Sequence, residues 1–258
     1  TNIEDFDFSN LGTLDAVVHL AAQPSVPLSI TKFGKSTTSN LLGSIKVIDL
    51  CRKRDIPLIY ASSSAVYGNL ENGDDKSSKV ELLSPYAADK HTMEVYSKLA
   101  NKLYGLSSIG LRFFNVYGPR QDPNNPYSGV ISIFADRIIN REQIIINGGH
   151  QSRDFVYVED VLKLIEKSLE IALHRKVCDV SNVLTGTSVT IDNLANELIR
   201  LIGNKVVKSY QDLQEGDPLF STGCTKKMCD LFCIGLENFT PFKKGLQKTV
   251  KFLQAREL

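Results

Sequence analysis

Apolar runs alternate with amphipathic stretches along the first part of the chain. Residues 15–20, 57–61 and 108–114 are short, largely apolar runs, which is typical of parallel strands covered on both faces. Residues 37–53 and 86–104 carry apolar side chains at helical spacing. Strands that alternate with helices of this length predict βαβ units around a parallel sheet.

The pattern changes after residue 140. A helix predicted over 129–140 ends the alternating part, and shorter elements follow it, with a strand over 143–146 and helices over 158–173 and 190–202. We therefore expect an α/β fold in two parts. The first is a Rossmann-like, doubly wound parallel sheet over residues 1–140, and the second is a smaller α/β lobe over residues 141–258.

The composition excludes several classes of protein. The 258 residues include 30 Lys and Arg against 29 Asp and Glu, a net charge of +1, which argues against a binder of nucleic acid or of anionic membranes. No apolar run approaches the roughly 18 residues of a membrane span. Five cysteines without a CxxC pair indicate neither a disulfide framework nor a zinc site. These features predict a cytoplasmic protein that holds no metal.

Serine side chains follow the second predicted strand. Ser62, Ser63 and Ser64 come directly after residue 61, and ligands of a doubly wound sheet bind beyond the carboxyl ends of its strands. The three hydroxyls are therefore placed to face a ligand crevice. Taken alone, a serine triplet is more often only a turn.

Tyr86 and Lys90 lie four residues apart on the second predicted helix, on one face of it. An ammonium near a phenol favours the phenolate and lowers a pKa that starts at about 10. A tyrosine tuned in this way can act as a general acid and base. The same spacing also occurs in ordinary exposed helix pairs. Asn115 ends the third predicted strand, where a strand stop followed by a turn is the alternative reading.

The combination of these blocks is more specific than any one of them. The chain resembles the extended short-chain dehydrogenase/reductase family, and within it the nucleotide-sugar epimerases and dehydratases. The resemblance rests on HLAAQ at residues 19–23, YASSSAVYG at 60–68, SPYAADK at 84–90, NVYGPRQDP at 115–123 and SRDFVYVED at 152–160. It implies NAD as the cofactor of the first part and a nucleotide sugar as the substrate of the second.

The resemblance also implies roles for single residues. Tyr86 would be the acid and base on a sugar hydroxyl, Lys90 would hold the nicotinamide ribose, and Ser63 would bind the reacting hydroxyl. Further positions that match cofactor or substrate contacts are, for the cofactor, Ala21, Ala22, Gln23, Asn40 and Ser62 and, for the substrate, Ser64, Asn115, Arg153 and Ser221. An arginine suits the diphosphate because its planar fork pairs with two phosphate oxygens.

Three positions narrow the choice of reaction and of sugar substrate. Dehydratases of this family carry an acidic pair directly after the catalytic hydroxyl, whereas this chain has Ser64 and Ala65 there. The resemblance therefore favours epimerisation at C4 of a UDP-sugar through a 4-keto intermediate. Ser221 stands at the position that gates the sugar pocket, and a small residue there favours UDP-N-acetylhexosamines beside UDP-glucose and UDP-galactose. The alternatives are a nucleotide-sugar reductase or decarboxylase of the same family, or a non-catalytic member.

The family's GxxGxxG turn, which binds the cofactor pyrophosphate, does not occur in this sequence. We expect a chain that begins near the family's third strand, lacks roughly 55 residues, leaves residues 15–20 as an exposed apolar edge and binds NAD weakly. Gln214 stands where the family has a phosphate-binding arginine. The resemblance also implies a homodimer, in which the helices over 37–53 and 86–104 form a four-helix bundle with their counterparts.

Overall fold

The computed structural model describes residues 2–125, 128–213 and 216–256. The strands of its main sheet are β1 (Val17–His19), β2 (Leu58–Ser63), β3 (Ser108–Phe113) and β7 (Cys178–Val183). They are parallel and lie in the order β1-β2-β3-β7.

Two smaller sheets hold the other strands of the described residues. One consists of β4 (Asn115–Tyr117), β6 (Ser152–Tyr157) and β8 (Ser188–Thr190), and the other of β5 (Ile144–Asn147) and β9 (Lys208–Gln211). The sequence predicts only β5 among these five. The others are short and mix polar with apolar positions, so they carry no clear period of two.

Helices flank the sheets. Their bounds are α1 (Val26–Thr31), α2 (Phe33–Thr37), α3 (Gly43–Arg54), α4 (Pro85–Tyr104), α5 (Val130–Ile139), α6 (Val158–His174), α7 (Ile191–Ile202), α8 (Lys226–Phe232) and α9 (Phe242–Gln254). A π-helical turn at Thr38–Leu42 precedes α3, and a 3₁₀ turn at Ser64–Tyr67 follows β2. In the described residues no helix is both long and apolar enough to cross a membrane.

Both faces of the main sheet are covered. Leu58 and Tyr60 of β2 pack with Met93 of α4 in one apolar cluster, while Ile59 between them packs with Leu164 of α6 in another. This alternation follows from the period of two along a strand. A parallel sheet covered on both faces is the doubly wound, Rossmann-like arrangement, which confirms the predicted fold class.

The first turn of α4 lies beside the carboxyl end of β2. Ser84 caps the helix, because its hydroxyl accepts a hydrogen bond of 3.2 Å from the backbone N–H of Ala87. Pro85 follows at the first helical position, as its fixed φ favours. Gly105 ends the helix in the left-handed region with a φ of 70°. These signals fix where the helix starts and hence where Tyr86 stands.

The predicted division at residue 140 needs correction. α6 packs against β2 and β3, and β7 pairs with β3 in the main sheet, although both elements come after residue 140. A separate core does form from α5, α7, α9 and β5, with Ile131, Ile144, Leu198 and Val250 buried in it. The chain therefore enters the second lobe, returns to the main sheet and leaves it again, which a single boundary does not describe.

The strand β1 lies at the edge of the main sheet. It covers three residues rather than the six predicted, and Val18 is 38% exposed while Leu20, which follows the strand, is 51% exposed. The expectation of an exposed apolar edge is confirmed. The expectation that both faces of this run are covered is wrong, because the face that carries Val18 and Leu20 is open to solvent, whereas His19 on the other face is buried.

Candidate active site

A cavity of about 190 Å³ lies beyond the carboxyl ends of β2 and β3. Six of the residues predicted to contact substrate or to act on it line this one cavity, namely Ser63, Ser64, Tyr86, Asn115, Arg153 and Ser221. They come from five places in the chain that are far apart in sequence. The crevice at the carboxyl edge of a doubly wound sheet brings them together, as the topology predicts.

The Ser63 hydroxyl and the Tyr86 phenol lie next to each other in the wall of the cavity. The Ser63 hydroxyl accepts a hydrogen bond of 3.2 Å from the backbone N–H of Ala65, which holds it at the start of the 3₁₀ turn. Burial raises the pKa of the Tyr86 phenol, and the nearby Ser63 hydroxyl opposes that effect. A hydroxyl and a phenol are thus placed to contact one hydroxyl group of a ligand.

Lys90 lies one helical turn behind Tyr86. Its ammonium donates a hydrogen bond of 2.7 Å to the carbonyl oxygen of Ala61 and stands 5.7 Å from the centre of the Tyr86 ring. Burial lowers the pKa of Lys90 to about 8, against the opposing charge of Asp89. The predicted lowering of the Tyr86 pKa by Lys90 is not what the structure shows, because the ammonium points to β2 and burial dominates at the phenol.

The predicted cofactor residues divide into two groups. Ala21, Ala22 and Gln23 follow the carboxyl end of β1, where Ala21 is exposed and the other two are half-buried. Asn40 holds this loop from the π-helical turn, accepting a hydrogen bond of 2.7 Å from the backbone N–H of Gln23 and donating one of 3.1 Å to its carbonyl oxygen. Ser62 forms the second group by itself, because its hydroxyl points into the core rather than toward the crevice.

The donors at this edge fit the ribose of a nicotinamide nucleotide. Lys90 has three ammonium protons, and one of them is used on Ala61. The other two ammonium protons of Lys90 lie near the carboxyl ends of β1 and β2. The neighbouring loop is held in place by Asn40 and is exposed to solvent at Ala21. Ribose hydroxyls accept hydrogen bonds from such donors, so the chain's own residues are suited to a dinucleotide at this edge.

The opposite wall of the cavity comes from β4, β6 and the loop over residues 216–222. Asn115 donates to the backbone carbonyl of Asp154 at 3.2 Å and to the Ser221 hydroxyl at 3.3 Å. Arg153 pairs with Asp217 across 2.5 Å. Gln214, the predicted replacement for an arginine, lies outside the described residues.

A second cavity of about 520 Å³ adjoins the first and shares Asn115, Arg153 and Asp217 with it. Its remaining walls combine apolar and amide side chains, among them Phe134 of α5 and Asn147 of β5. No local signal in the sequence points to this cavity, because its lining comes from eight separate segments. Together the two cavities form a space with the guanidinium of Arg153 between them.

A model of the NAD dependent epimerase/dehydratase family matches residues 6–179 of the chain. The chain belongs to this family. The match confirms the resemblance found in the sequence, and NAD, the predicted cofactor, is the cofactor by which the family is defined.

Relatives of this family member include both kinds of enzyme. A putative UDP-glucose 4-epimerase of Methanocaldococcus jannaschii is 38% identical over 249 residues, which are 95% of this chain and 79% of that protein. The solved structure of a UDP-N-acetylglucosamine 4-epimerase from Methanobrevibacter ruminantium, in complex with UDP-N-acetylmuramic acid, matches with a TM-score of 0.88 at 34% identity, over 99% of this chain and 82% of that one. A human dTDP-D-glucose 4,6-dehydratase is 28% identical over 245 residues, 93% of this chain and 68% of that protein.

Sequence reasoning missed a buried polar network behind the site of this epimerase/dehydratase family member. Arg112 of β3 donates hydrogen bonds of 2.8 and 2.6 Å to the two carboxylate oxygens of Glu94 on α4. Burial opposes the charge of Glu94, but the hydrogen bonds and charge of Arg112 outweigh it and lower the pKa of the carboxyl. The available signal was the charge itself, since both residues stand at positions where apolar side chains are expected.

Proposed function

We propose that this chain interconverts the C4 epimers of a UDP-sugar by reversible, NAD-dependent oxidation at C4. The juxtaposition of Ser63 and Tyr86 carries the proposal, because it places a hydroxyl and a titratable phenol side by side at the wall of a cavity of sugar size. Such a pair can orient a sugar hydroxyl and move its proton. Membership of a family of NAD-dependent nucleotide-sugar epimerases and dehydratases supports the same reaction class.

The proton chemistry belongs to Tyr86 and Ser63. Ser63 holds the C4 hydroxyl, and the phenolate of Tyr86 takes its proton as C4 is oxidised and returns it when the 4-keto sugar is reduced from its other face. Bound NAD supplies the acceptor and donor of the hydride and, in its oxidised form, a positive charge. Because burial raises the pKa of Tyr86, the phenolate needs such a positive charge nearby, whereas the ammonium of Lys90, 5.7 Å from the centre of the Tyr86 ring, is directed to the carbonyl oxygen of Ala61.

Epimerisation is favoured over dehydration by the residues that follow Ser63. Loss of water from a 4-keto sugar needs an acid and a base beside C5 and C6. Ser64 and Ala65 line the cavity at this point, and neither side chain titrates near neutral pH. With no acid and base in these positions, the 4-keto sugar is left to turn and take the hydride back.

The two cavities support a UDP-sugar as the substrate. Arg153 and Asn115 stand where the cavities meet and suit the diphosphate. The sugar would then occupy the cavity beside Tyr86 and the nucleoside the larger one. Ser221 is a small residue in the sugar cavity, so we propose that N-acetylhexosamines fit as well as hexoses. Turnover of UDP-glucose but not of UDP-N-acetylglucosamine would contradict this role of Ser221.

The decisive variant is Tyr86→Phe. We expect turnover to fall by about 100-fold or more, because general acid–base catalysis contributes a factor of this size. Tyr96→Phe is the matched control, since Tyr96 lies on the same helix and is 41% exposed. Interconversion of UDP-sugars is followed by proton NMR. Unchanged turnover in Tyr86→Phe would refute the assigned mechanism. Consumption of reduced nicotinamide in step with product would favour a reductase, and its release in step with product an oxidative decarboxylase.

We also propose that the chain forms a homodimer through α3 and α4. Val95, Leu99 and Leu103 follow one another at intervals of four on α4 and are 50%, 46% and 58% exposed. A stripe of this kind on a helix of a soluble enzyme is typical of a subunit interface. Light scattering should give the mass of two chains for the wild type and of one chain for Leu99→Glu. A monomeric wild type would contradict the proposal.

A further inference from the structure

The pair of Glu94 and Arg112 is buried more deeply than a structural ion pair requires. Their side chains are 1% and 5% exposed. Removing two charges from water is costly, and well-packed apolar residues of similar volume often stabilise a fold at least as well. Stability alone therefore does not explain why this ion pair is buried, and the elements that its hydrogen bonds hold in place have to be considered.

Glu94 ties α4 to β2. Its Oε1 accepts a hydrogen bond of 2.5 Å from the hydroxyl of Ser62. One helical turn earlier, Lys90 donates to the carbonyl oxygen of Ala61 at 2.7 Å. These two hydrogen bonds, called ties below, involve Lys90 and Glu94, which lie four and eight residues after Tyr86 on one face of the helix. They reach two successive residues of β2, directly before Ser63.

Arg112 extends the network from α4 to Tyr67 and β7. Its Nη1 donates a hydrogen bond of 2.8 Å to the hydroxyl of Tyr67, which in turn donates one of 2.6 Å to Oδ1 of Asn182 on β7. Tyr67 itself lines the sugar cavity. One network thus spans β2, β3, β7 and α4 and includes part of the cavity wall.

We propose that Glu94 is a positioning residue, whose contact with Ser62 sets the axial position of α4 on β2 and thereby keeps Tyr86 beside Ser63 in the cavity wall. Two ties one turn apart prevent the helix from sliding along the strand. The charge of Arg112 keeps Glu94 ionised and so able to accept from Ser62. The kinetic part of this inference rests on the proposed function, whereas the structural part does not.

Two variants separate positioning from stability. Ser62→Ala removes the tie and leaves the ion pair intact. The double variant Glu94→Leu with Arg112→Met removes the tie together with both buried charges, so that no unpaired charge remains to unfold the protein. Leu198→Ala is the control, because Leu198 is buried in the core of the second lobe, away from the cavity. Thermal unfolding ranks the stability of all four proteins.

We expect kcat to fall by about 10- to 100-fold in Ser62→Ala and in the double variant, because small displacements of a catalytic group have effects of this size. The KM for the sugar nucleotide should stay within about two-fold. The acid limb of the kcat profile should move to higher pH, since a weaker contact with Ser63 leaves the pKa of Tyr86 higher. Leu198→Ala should show none of these changes.

Amide hydrogen exchange tests the positioning without cofactor or substrate. Exchange in residues 61–65 and 86–94 should become faster in Ser62→Ala and in the double variant, and stay unchanged in Leu198→Ala. Unaltered exchange in the first two proteins would overturn the inference, as would wild-type kcat in either of them. If the wild type shows no epimerisation but the exchange behaves as expected, the proposed function fails and the positioning stands.

Discussion

The two walls of the sugar cavity are held by different means. On one side, Ser63 and Tyr86 stand at the ends of a strand and a helix that the buried Glu94–Arg112 pair connects. On the other side, Arg153 pairs with Asp217, a loop residue whose side chain is 40% exposed. The first wall is fixed by buried charge on regular elements, and the second depends on an ion pair between Arg153, whose side chain is 8% exposed, and a carboxylate that is open to solvent.

The difference matches what each wall has to do. Proton transfer tolerates little displacement of the reacting groups, so the catalytic pair is best placed on rigid elements. Recognition of the sugar and nucleotide varies among relatives that include epimerases and a dehydratase. A loop held by a half-exposed ion pair can change its sequence without loss of the fold. Variants of Glu94, Lys90 and Asp217 measure how strongly the side chains of each wall are held in solution.

The largest stability effect is expected for Glu94→Ala. It leaves the buried guanidinium of Arg112 without its partner, which should lower the free energy of unfolding by about 3–5 kcal/mol. Glu197→Ala is the matched control, since it removes the partner of Arg200, whose side chain is 67% exposed, and should cost no more than about 1 kcal/mol. Urea denaturation measures both. Equal losses would erase the contrast between a buried and an exposed pair.

A pH effect of intermediate size is expected from Lys90. Its pKa in the folded chain is about 8, below the ordinary value of 10.5, so between these values the unfolded chain binds more protons than the folded one. The free energy of unfolding should therefore rise with pH across this window, by up to about 3 kcal/mol. Lys90→Met should lack this rise. If the free energy of unfolding of wild type and variant changed with pH in parallel from pH 7 to 11, the lowered pKa of Lys90 would be contradicted.

The smallest stability effect is expected for Asp217→Asn. The amide oxygen that replaces the carboxylate can still accept a hydrogen bond from Arg153, whose side chain is 8% exposed, and Asp217 itself is 40% exposed, so the free energy of unfolding should change by less than about 1 kcal/mol. Removal of a carboxylate that competes with phosphate for Arg153 should tighten UDP binding several-fold at low salt. Calorimetric titration with UDP measures this effect. Weaker binding would mean that Asp217 itself contacts the nucleotide.

The wall that contains Ser63 and Tyr86 could be predicted because its signals are local. The spacing of Tyr86 and Lys90, the proline at residue 85 and the serines after a buried strand all lie within short segments, and the structure brings Ser63 and Tyr86 together as expected. Helix α4 was predicted within one residue of its observed start for the same reason. Local pattern and tertiary structure agree here.

The supporting contacts could not be predicted, because their partners are distant in sequence. Glu94 and Arg112 lie 18 residues apart on different elements, and Arg153 and Asp217 are separated by 64 residues. No periodicity relates such positions, so pairing becomes visible only in three dimensions. The inward direction of Ser62 was missed for a related reason, since alternation along β2 turns neighbouring hydroxyls to opposite faces.

The central claim is that the 4-keto sugar is reduced again rather than dehydrated. It is tested most directly by proton NMR of UDP-glucose and UDP-N-acetylglucosamine incubated with the protein and NAD in deuterated water. We expect that the C4 epimer appears, that no deuterium enters the sugar carbons and that reduced nicotinamide does not accumulate. A 4-keto-6-deoxy product with deuterium at C5 would contradict it, because Ser64 and Ala65 would then stand beside an acid and a base that the proposed mechanism lacks.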